Sequence, residues 1–163
     1  MDKTGFNQLL EHLRPKLYRF ALAITKRTDE AEDVVQEVGI KLWERRDELD
    51  ELRSVEAYAM SAIRNRCLDN VRSPHHRMDE LTEIHDTAHE QTPYERLEQI
   101  DMAAFVRRLI GRLPEQQQMV IRLRDIEGYE LDDIAKILEM SDGAVRTALS
   151  RARQRIRDEL LKQ

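Results

Sequence analysis

Between Glu130 and Arg157 the apolar residues recur at intervals of three and four, and this spacing restricts the stretch to helices. Leu131, Ile134, Ala135 and Leu138 form one stripe, as an amphipathic helix requires. Ser141 then offers a side-chain oxygen to a free backbone N–H at the start of a second helix. Asp142 puts negative charge in that helix's first turn. Val145, Leu149, Ala152, Ile156 and Leu160 give the second helix a buried face. Its opposite face carries Arg146, Ser150, Arg153 and Arg157, with Thr147 and Gln154 alongside. A short helix, a tight turn and a longer basic helix is the pattern of a helix-turn-helix DNA reader.

Arginines on a helix exterior are ordinarily a solvated surface, and helical hairpins are common. Two features favour DNA binding here. The turn holds one plausible cap residue, followed by small Gly143 and Ala144 where close helix approach is expected. No acid interrupts the stretch from Gly143 to Arg157, whereas ordinary surface helices mix their signs.

The whole chain of 163 residues has room for one domain or two small ones. Charged residues are 36% and aromatic residues 5% of the total, which suits small helical units better than a large sheet core. The formal charge of −5 argues against nucleic acid only until its distribution is considered. Residues 73–100 hold seven acids against Arg77 and Arg96, so this one segment accounts for the excess. Residues 141–163 hold six bases against three acids. A lone cysteine, Cys67, excludes an internal disulfide and fits a reducing compartment. No apolar run is long enough to span a bilayer and the N-terminus is not a signal peptide, so a cytoplasmic protein is expected.

Further toward the N-terminus, Leu9, Leu10, Leu13, Leu17, Phe20, Ala21 and Ile24 predict helix from about residue 5 to 26, with Pro15 dividing or bending it. Thr28 and Asp29 are candidate caps for the next helix. There Ala31, Val34, Val35, Val38 and Leu42 face inward, and Asp33, Gln36, Glu37, Ile40 and Glu44 face outward with Trp43 at the border. An exposed isoleucine beside a tryptophan favours a partner surface. Residues 47–54 read as a loop ending in a Ser54 cap. The following helix, from about Val55 to Arg72, buries Ala59, Ala62, Ile63, Cys67 and Val71. Arg64, Asn65, Asp69 and Arg72 stay available to solvent or DNA. Cys67 lies on the apolar stripe and is expected to be a small core residue.

DEAEDVVQEVGIKLWERRDEL followed by AYAMSAIRNRCLDNVR resembles the second conserved region of bacterial sigma factors. LPEQQQMVIRLRDIEGYELDDIAKILEMSDGAVRTALSRARQRIRDEL resembles their fourth. The lack of a third region between them resembles the extracytoplasmic-function group. The resemblance implies an all-α fold of two small helical domains, at residues 1–73 and 93–163, joined by a flexible acidic linker at 74–92. It implies that the helix from Asp29 to Arg46 docks on a coiled coil of the polymerase subunit β′ through Asp33, Gln36, Glu37, Ile40 and Trp43. Carboxylates and amides on one helix face are suitable acceptors for a partner's arginines. Gly39 stands where the family usually has a larger residue.

The same resemblance places Arg64, Asn65, Asp69 and Arg72 near the −10 element, where melting needs a pocket for an unstacked base and a basic surface for the backbone. Arg66 would add a phosphate contact if exposed. It places Arg146, Thr147, Ser150, Arg151 and Arg153 at the −35 element in the major groove. Implied partners are core RNA polymerase (β′ coiled coil and β subunit), promoter DNA and an anti-sigma factor. Neither an enzymatic activity, a cofactor nor a small-molecule substrate is expected.

In the linker, His75, His76, His85 and His89 invite a metal reading, but no cysteine pair or rigid frame accompanies them and no metal site is expected. Thr92 and Pro93 open another helix with an apolar side of Ile100, Ala103, Ala104, Val106, Leu109 and Ile110. Pro114 opens the next, with Met119, Val120, Ile121 and Leu123 as core, and Gly128 ends it as a C-cap. Two other readings compete. A helix-turn-helix regulator with a helical sensor or dimerisation domain shares the last helices but leaves the block from Asp33 to Trp43 unexplained. A helical adaptor gripping acidic proteins would show little salt dependence in nucleic-acid binding.

Overall fold

The computed structural model describes residues 2–51, 54–71 and 102–162. Among the described residues every regular element is helical. Chain contacts separate two compact units, one built on the N-terminal helices and one on the C-terminal helices.

The N-terminal unit contains α1 (Lys3–Thr25), α2 (Thr28–Glu44), the short α3 (Arg46–Leu49) and α4 (Val55–Val71). α1 packs against both α2 and α4. Leu13, Leu17, Phe20 and Ala21 supply its side of the core, Val34, Val35, Val38 and Leu42 that of α2, and Met60, Ile63 and Cys67 that of α4. Asp2 caps α1 by accepting from the Gly5 N–H at 2.8 Å. Pro15 does not divide this helix, which runs through it without interruption. Pro15 and Glu11, four residues earlier, are both exposed, so the Glu11 carbonyl that loses its backbone partner is open to solvent. Leu13 and Leu17 are buried on the opposite side, so the helix stays packed on its neighbours past the proline.

The α1–α2 connection also departs from the expected cap. Neither Thr28 nor Asp29 precedes the helix; the capping position falls on Arg27, without a side-chain cap bond. The Arg27 guanidinium instead lies 3.6 Å from both Asp29 and Glu30. Thr25, buried, donates its hydroxyl to the Ala21 carbonyl and accepts from the Arg27 N–H. Lys26 takes the left-handed conformation at φ 60° and its N–H closes on the Leu22 carbonyl at 2.8 Å.

The stretch expected to be a loop from residue 47 begins instead as α3, whose Leu49 is buried. One apolar residue in an acidic run is too weak a periodic signal to show a single turn of helix. Ser54 caps α4 as expected, its hydroxyl accepting from the Ala57 N–H at 3.0 Å. Within α4, Ala57 and Met60 join the core, while Ala62 and Val71 are only half-buried.

The C-terminal unit contains α5 (Met102–Gly111), α6 (Glu115–Ile121), a π-helical turn at Arg122–Ile126, α7 (Leu131–Leu138) and α8 (Asp142–Leu161). Met119, Val120, Ile121 and Leu123 are buried as the spacing predicts. Along α5 only Leu109 and Ile110 are buried; Ala103 is exposed and Ala104 and Val106 are intermediate. Pro114 stands just before α6 at the capping position. The expected helix start at Thr92 and Pro93, the residue Ile100 and the four linker histidines all lie outside the described residues.

The π-helical turn was not visible in the sequence. After it the chain reverses at Gly128, whose φ of +80° favours a residue without Cβ. The Tyr129 N–H reaches back to the Leu123 carbonyl at 2.9 Å, as at a glycine-capped helix end.

Candidate functional site

On α2, three of the residues singled out by their chemistry face solvent. Asp33, Gln36 and Ile40 are exposed, and Ile40 retains 55% of its accessible surface. Gln36 and Ile40 line a groove of about 1020 Å³ between α1 and α2, together with Leu10, Tyr18, Val35, Gly39 and Trp43. Gly39 is buried, and a Cβ built on it would meet the Leu10 methyls at 3.6 and 3.7 Å, an ordinary contact.

Trp43 is held from two sides. Its ring meets Phe6 at a centroid distance of 5.1 Å, and the Arg46 guanidinium sits 4.1 Å over its face. Arg46 also donates to the Trp43 carbonyl at 3.0 Å. A ring fixed in this way is peripheral core with one edge on the surface.

Glu37 is not a free acceptor. Arg66 on α4 grips its carboxylate through Nε and Nη2, the latter at 3.5 Å. The Arg66 hydrogen bond holds the Glu37 carboxyl below its ordinary range, against a smaller upward push from burial. The same bond raises the Arg66 guanidinium. Arg66 therefore ties the α2 surface to α4 and is engaged within the chain in this structure. Its partner lies 29 residues upstream, a pairing that periodicity does not reveal.

The outward side of α4 presents Asn65 and Asp69, both exposed, with Arg64 half-buried. Arg64 donates to the Asn65 side-chain oxygen at 3.3 Å, so the two form one polar group. Arg72 lies outside the described residues. Cys67, on the inward side, has its thiol pushed up to about 12, chiefly by burial. At that value almost none of it is thiolate near neutrality, and the thiolate is the nucleophilic form.

In the C-terminal unit α7 ends at Glu139, in the left-handed conformation at φ 55°. The Met140 N–H bonds to the Ala135 carbonyl at 2.9 Å. Ser141 then caps α8, its hydroxyl accepting from the Ala144 N–H at 3.1 Å. Ser141 thus fills the role expected of it, whereas Gly143 and Ala144 do not: both are exposed, and nothing lies within 4 Å of a Cβ built on Gly143. Close approach is not what makes them small. Val145, Ala148, Leu149, Ala152 and Ile156 are buried, and α8 packs on α5 and α6.

That packing turns Arg146, Ser150, Arg153 and Arg157 to solvent along one face, with Thr147, Arg151 and Gln154 exposed beside them. Arg153 is already engaged by a residue outside α8. Its Nε and Nη2 donate to the two carboxylate oxygens of Asp125 at 3.0 and 2.6 Å. Asp125 belongs to the π-helical turn, and its hydrogen bond raises the Arg153 guanidinium.

Comparison with known proteins places both units in one family. The Sigma-70 region 2 family profile matches residues 9–77, and that of Sigma-70 region 4 matches residues 106–156. Similar curated proteins include the ECF RNA polymerase sigma factor SigM of Mycobacterium tuberculosis. It is 26% identical over 156 residues, spanning 95% of this chain and 76% of that protein. The chain belongs to the sigma-70 family. It is a sigma factor of the extracytoplasmic-function type. SigW of Bacillus subtilis is 24% identical over 171 residues, spanning 98% of this chain and 90% of that one. Among solved structures, the sigma factor RpoE in complex with the anti-sigma factor NepR from Bartonella quintana has the same fold. The TM-score is 0.71 at 24% identity, covering 97% of each chain. CnrH in complex with the cytosolic domain of CnrY aligns with a TM-score of 0.67 at 23% identity, covering 99% and 91%.

In this sigma factor the predicted surface residues therefore fall into three groups on three helices. The α2 group is coherent, with Glu37 shared between the surface and α4. The α4 group is mainly polar and carries one half-buried arginine among its described residues. The α8 group is cationic and continuous. Asp125 and Glu139 are structural determinants of the α8 group that sequence reading missed. The sign change at Asp125 just before Gly128 carried no periodic signal, and a glutamate gives no hint of a left-handed backbone. No described helix is long and apolar enough to cross a membrane.

Proposed function

We propose that this sigma factor divides its work among the three surfaces. α2 docks on the coiled coil of the polymerase β′ subunit through Asp33, Gln36 and Ile40, with Glu37 and Trp43 at the edge of the contact. Arg64, Asn65 and Asp69 on α4, with Arg72 beyond it, meet the −10 element as its strands separate. Arg146, Thr147, Ser150, Arg151 and Arg153 on α8 meet the −35 element in the major groove. The first domain occupies residues 1–73, the linker 74–92 and the second domain 93–163, and the protein works in the cytoplasm without catalysing a reaction itself.

The observation that carries this reading is the α8 surface. A helix with an acid-free stretch of fifteen residues, capped by Ser141 and backed by a continuous apolar stripe, matches the chemistry of a duplex backbone and groove. The two RpoE and CnrH structures, each in complex with an anti-sigma factor or a cytosolic domain, support an anti-sigma partner for this chain as well. Two DNA-reading modules acquire a fixed spacing only on the polymerase, so the isolated protein binds duplex weakly.

Size-exclusion chromatography with bacterial core RNA polymerase tests the docking surface. The wild-type chain co-elutes with core, and the double variant Asp33→Arg, Gln36→Arg, folded by circular dichroism, elutes alone. A variant that still co-elutes refutes the assignment of α2.

A further inference from the structure

The pairing of Asp125 with Arg153 has a chemical consequence for base recognition. A guanidinium presents five N–H donors in a planar fork. Asp125 takes the side edge, consisting of the Nε–H and one Nη2–H. The end edge, with parallel N–H groups on Nη1 and Nη2, remains free. Arg153 keeps 46% of its side-chain surface and Asp125 keeps 38%. The free edge therefore belongs to an exposed group whose orientation is fixed by two bonds from a neighbouring element.

Such an arrangement separates two properties that a surface arginine usually combines. The carboxylate cancels most of the charge that attracts phosphates without regard to sequence. The end edge still supplies a bidentate donor pair, the match for the O6 and N7 acceptors of guanine in the major groove. Fixing χ angles in advance also lowers the entropy lost when the contact forms. Arg146 and Arg151 occupy the exposed surface of the same helix, and no structural carboxylate bond is seen for either.

We infer that Asp125 is a positioning residue that converts Arg153 from a phosphate-binding cation into a reader of one guanine. This inference rests on the assignment of α8 to the −35 element. Asp125 lies in the π-helical turn, and from there its carboxylate reaches Arg153 in the middle of α8.

The test uses holoenzyme reconstituted from the full chain and core polymerase, retained on duplexes randomised over the −35 region. For the wild type, one position is enriched in guanine through Arg153. Asp125→Asn, which preserves side-chain volume, lowers the preference at that position about tenfold, within the range for loss of one bidentate base contact. Arg153→Ala abolishes the preference at the same position, and both variants keep the preferences elsewhere. The salt dependence separates them: Asp125→Asn steepens the log–log slope by about 0.9, the value for one added phosphate contact, and Arg153→Ala does not. Unchanged preference and slope in Asp125→Asn overturn the inference, as does an equal loss at every position, which marks a merely structural residue. The double variant Arg146→Ala, Arg151→Ala serves as the companion. It lowers affinity and the salt slope whatever the base preferences, and if binding to −35 duplexes and its salt slope are both unchanged, the assignment of α8 itself fails.

Discussion

Gly39 offers a direct measure of how the α1–α2 packing balances fold against surface. Glycine in a helix interior costs roughly 0.5–1 kcal/mol relative to alanine, because its backbone loses more freedom on folding. Removing that penalty is stabilising only where the new methyl fits. Here the built Cβ meets Leu10 at 3.6 and 3.7 Å, the range of ordinary van der Waals contact, and no backbone atom of another element comes within 4 Å. The substitution Gly39→Ala thus adds a favourable contact without displacing anything, and the predicted gain is about 1 kcal/mol. For a transition of 60–100 residues this corresponds to a rise of roughly 4–8 °C. Differential scanning calorimetry of the full chain reads it as an upward shift of the N-terminal unit's transition, with urea unfolding as a second measure. A fall in stability would refute the reasoning, since it would mean that Leu10 cannot accept the methyl and that the helices need glycine for their approach. If stability rises, the absence of a larger side chain at this position in the groove is a property of the surface and not a requirement of the fold.

Two further perturbations follow from the charged residues. Glu37→Gln removes the Arg66 pair; with both partners more than a third exposed, the loss at neutral pH is at most about 1 kcal/mol. Because the folded Glu37 carboxyl titrates below its ordinary value, the stabilisation is present above the unfolded value. It disappears as the pH falls through the lower folded one. Urea titrations of wild type and variant should therefore differ at neutrality and converge in acid; a constant difference would show that the ion pair is not its source. Arg122 is the opposite case. Its Nε is buried without a hydrogen-bond partner and burial lowers its guanidinium. Arg122→Met keeps the apolar stem and removes the buried donor, so a gain of about 1 kcal/mol is expected in chemical denaturation. A loss would show that Arg122 has a structural partner among its neighbours.

The sequence made the helices legible because most of them bury a stripe that is regular in the chain. On α2, five inward positions from Ala31 to Leu42 are all buried, and Asp33, Gln36 and Ile40 are all exposed. On α8, Val145, Leu149, Ala152 and Ile156 define the reverse side of the cationic surface with equal clarity. Local chemistry was legible where a single residue suffices, as at the Ser54 and Ser141 caps and at Gly128. Pairings across the fold were not: Glu37 with Arg66 and Asp125 with Arg153 each join residues almost thirty apart, and each alters the availability of a group that looks free in the sequence. Pro15 misled for a related reason. Its local preference against helix is genuine, but tertiary burial of Leu13 and Leu17 on the other side outweighs it. Leu49 shows the reverse, a solitary apolar residue with no periodic company that is nonetheless buried, on the short α3 packed against α2.

The π-helical turn at Arg122–Ile126 also determines which changes of length this region will accept. An α-helix advances by about 100° per residue, so losing one residue from the wide turn would rotate everything up to Gly128 by that angle. Asp125 would swing off Arg153 even though every side chain in the region was still present. A one-codon deletion is therefore expected to break the pair where a substitution at exposed Ile126 is not. In this segment the number of residues matters alongside the identities of Asp125 and Leu123.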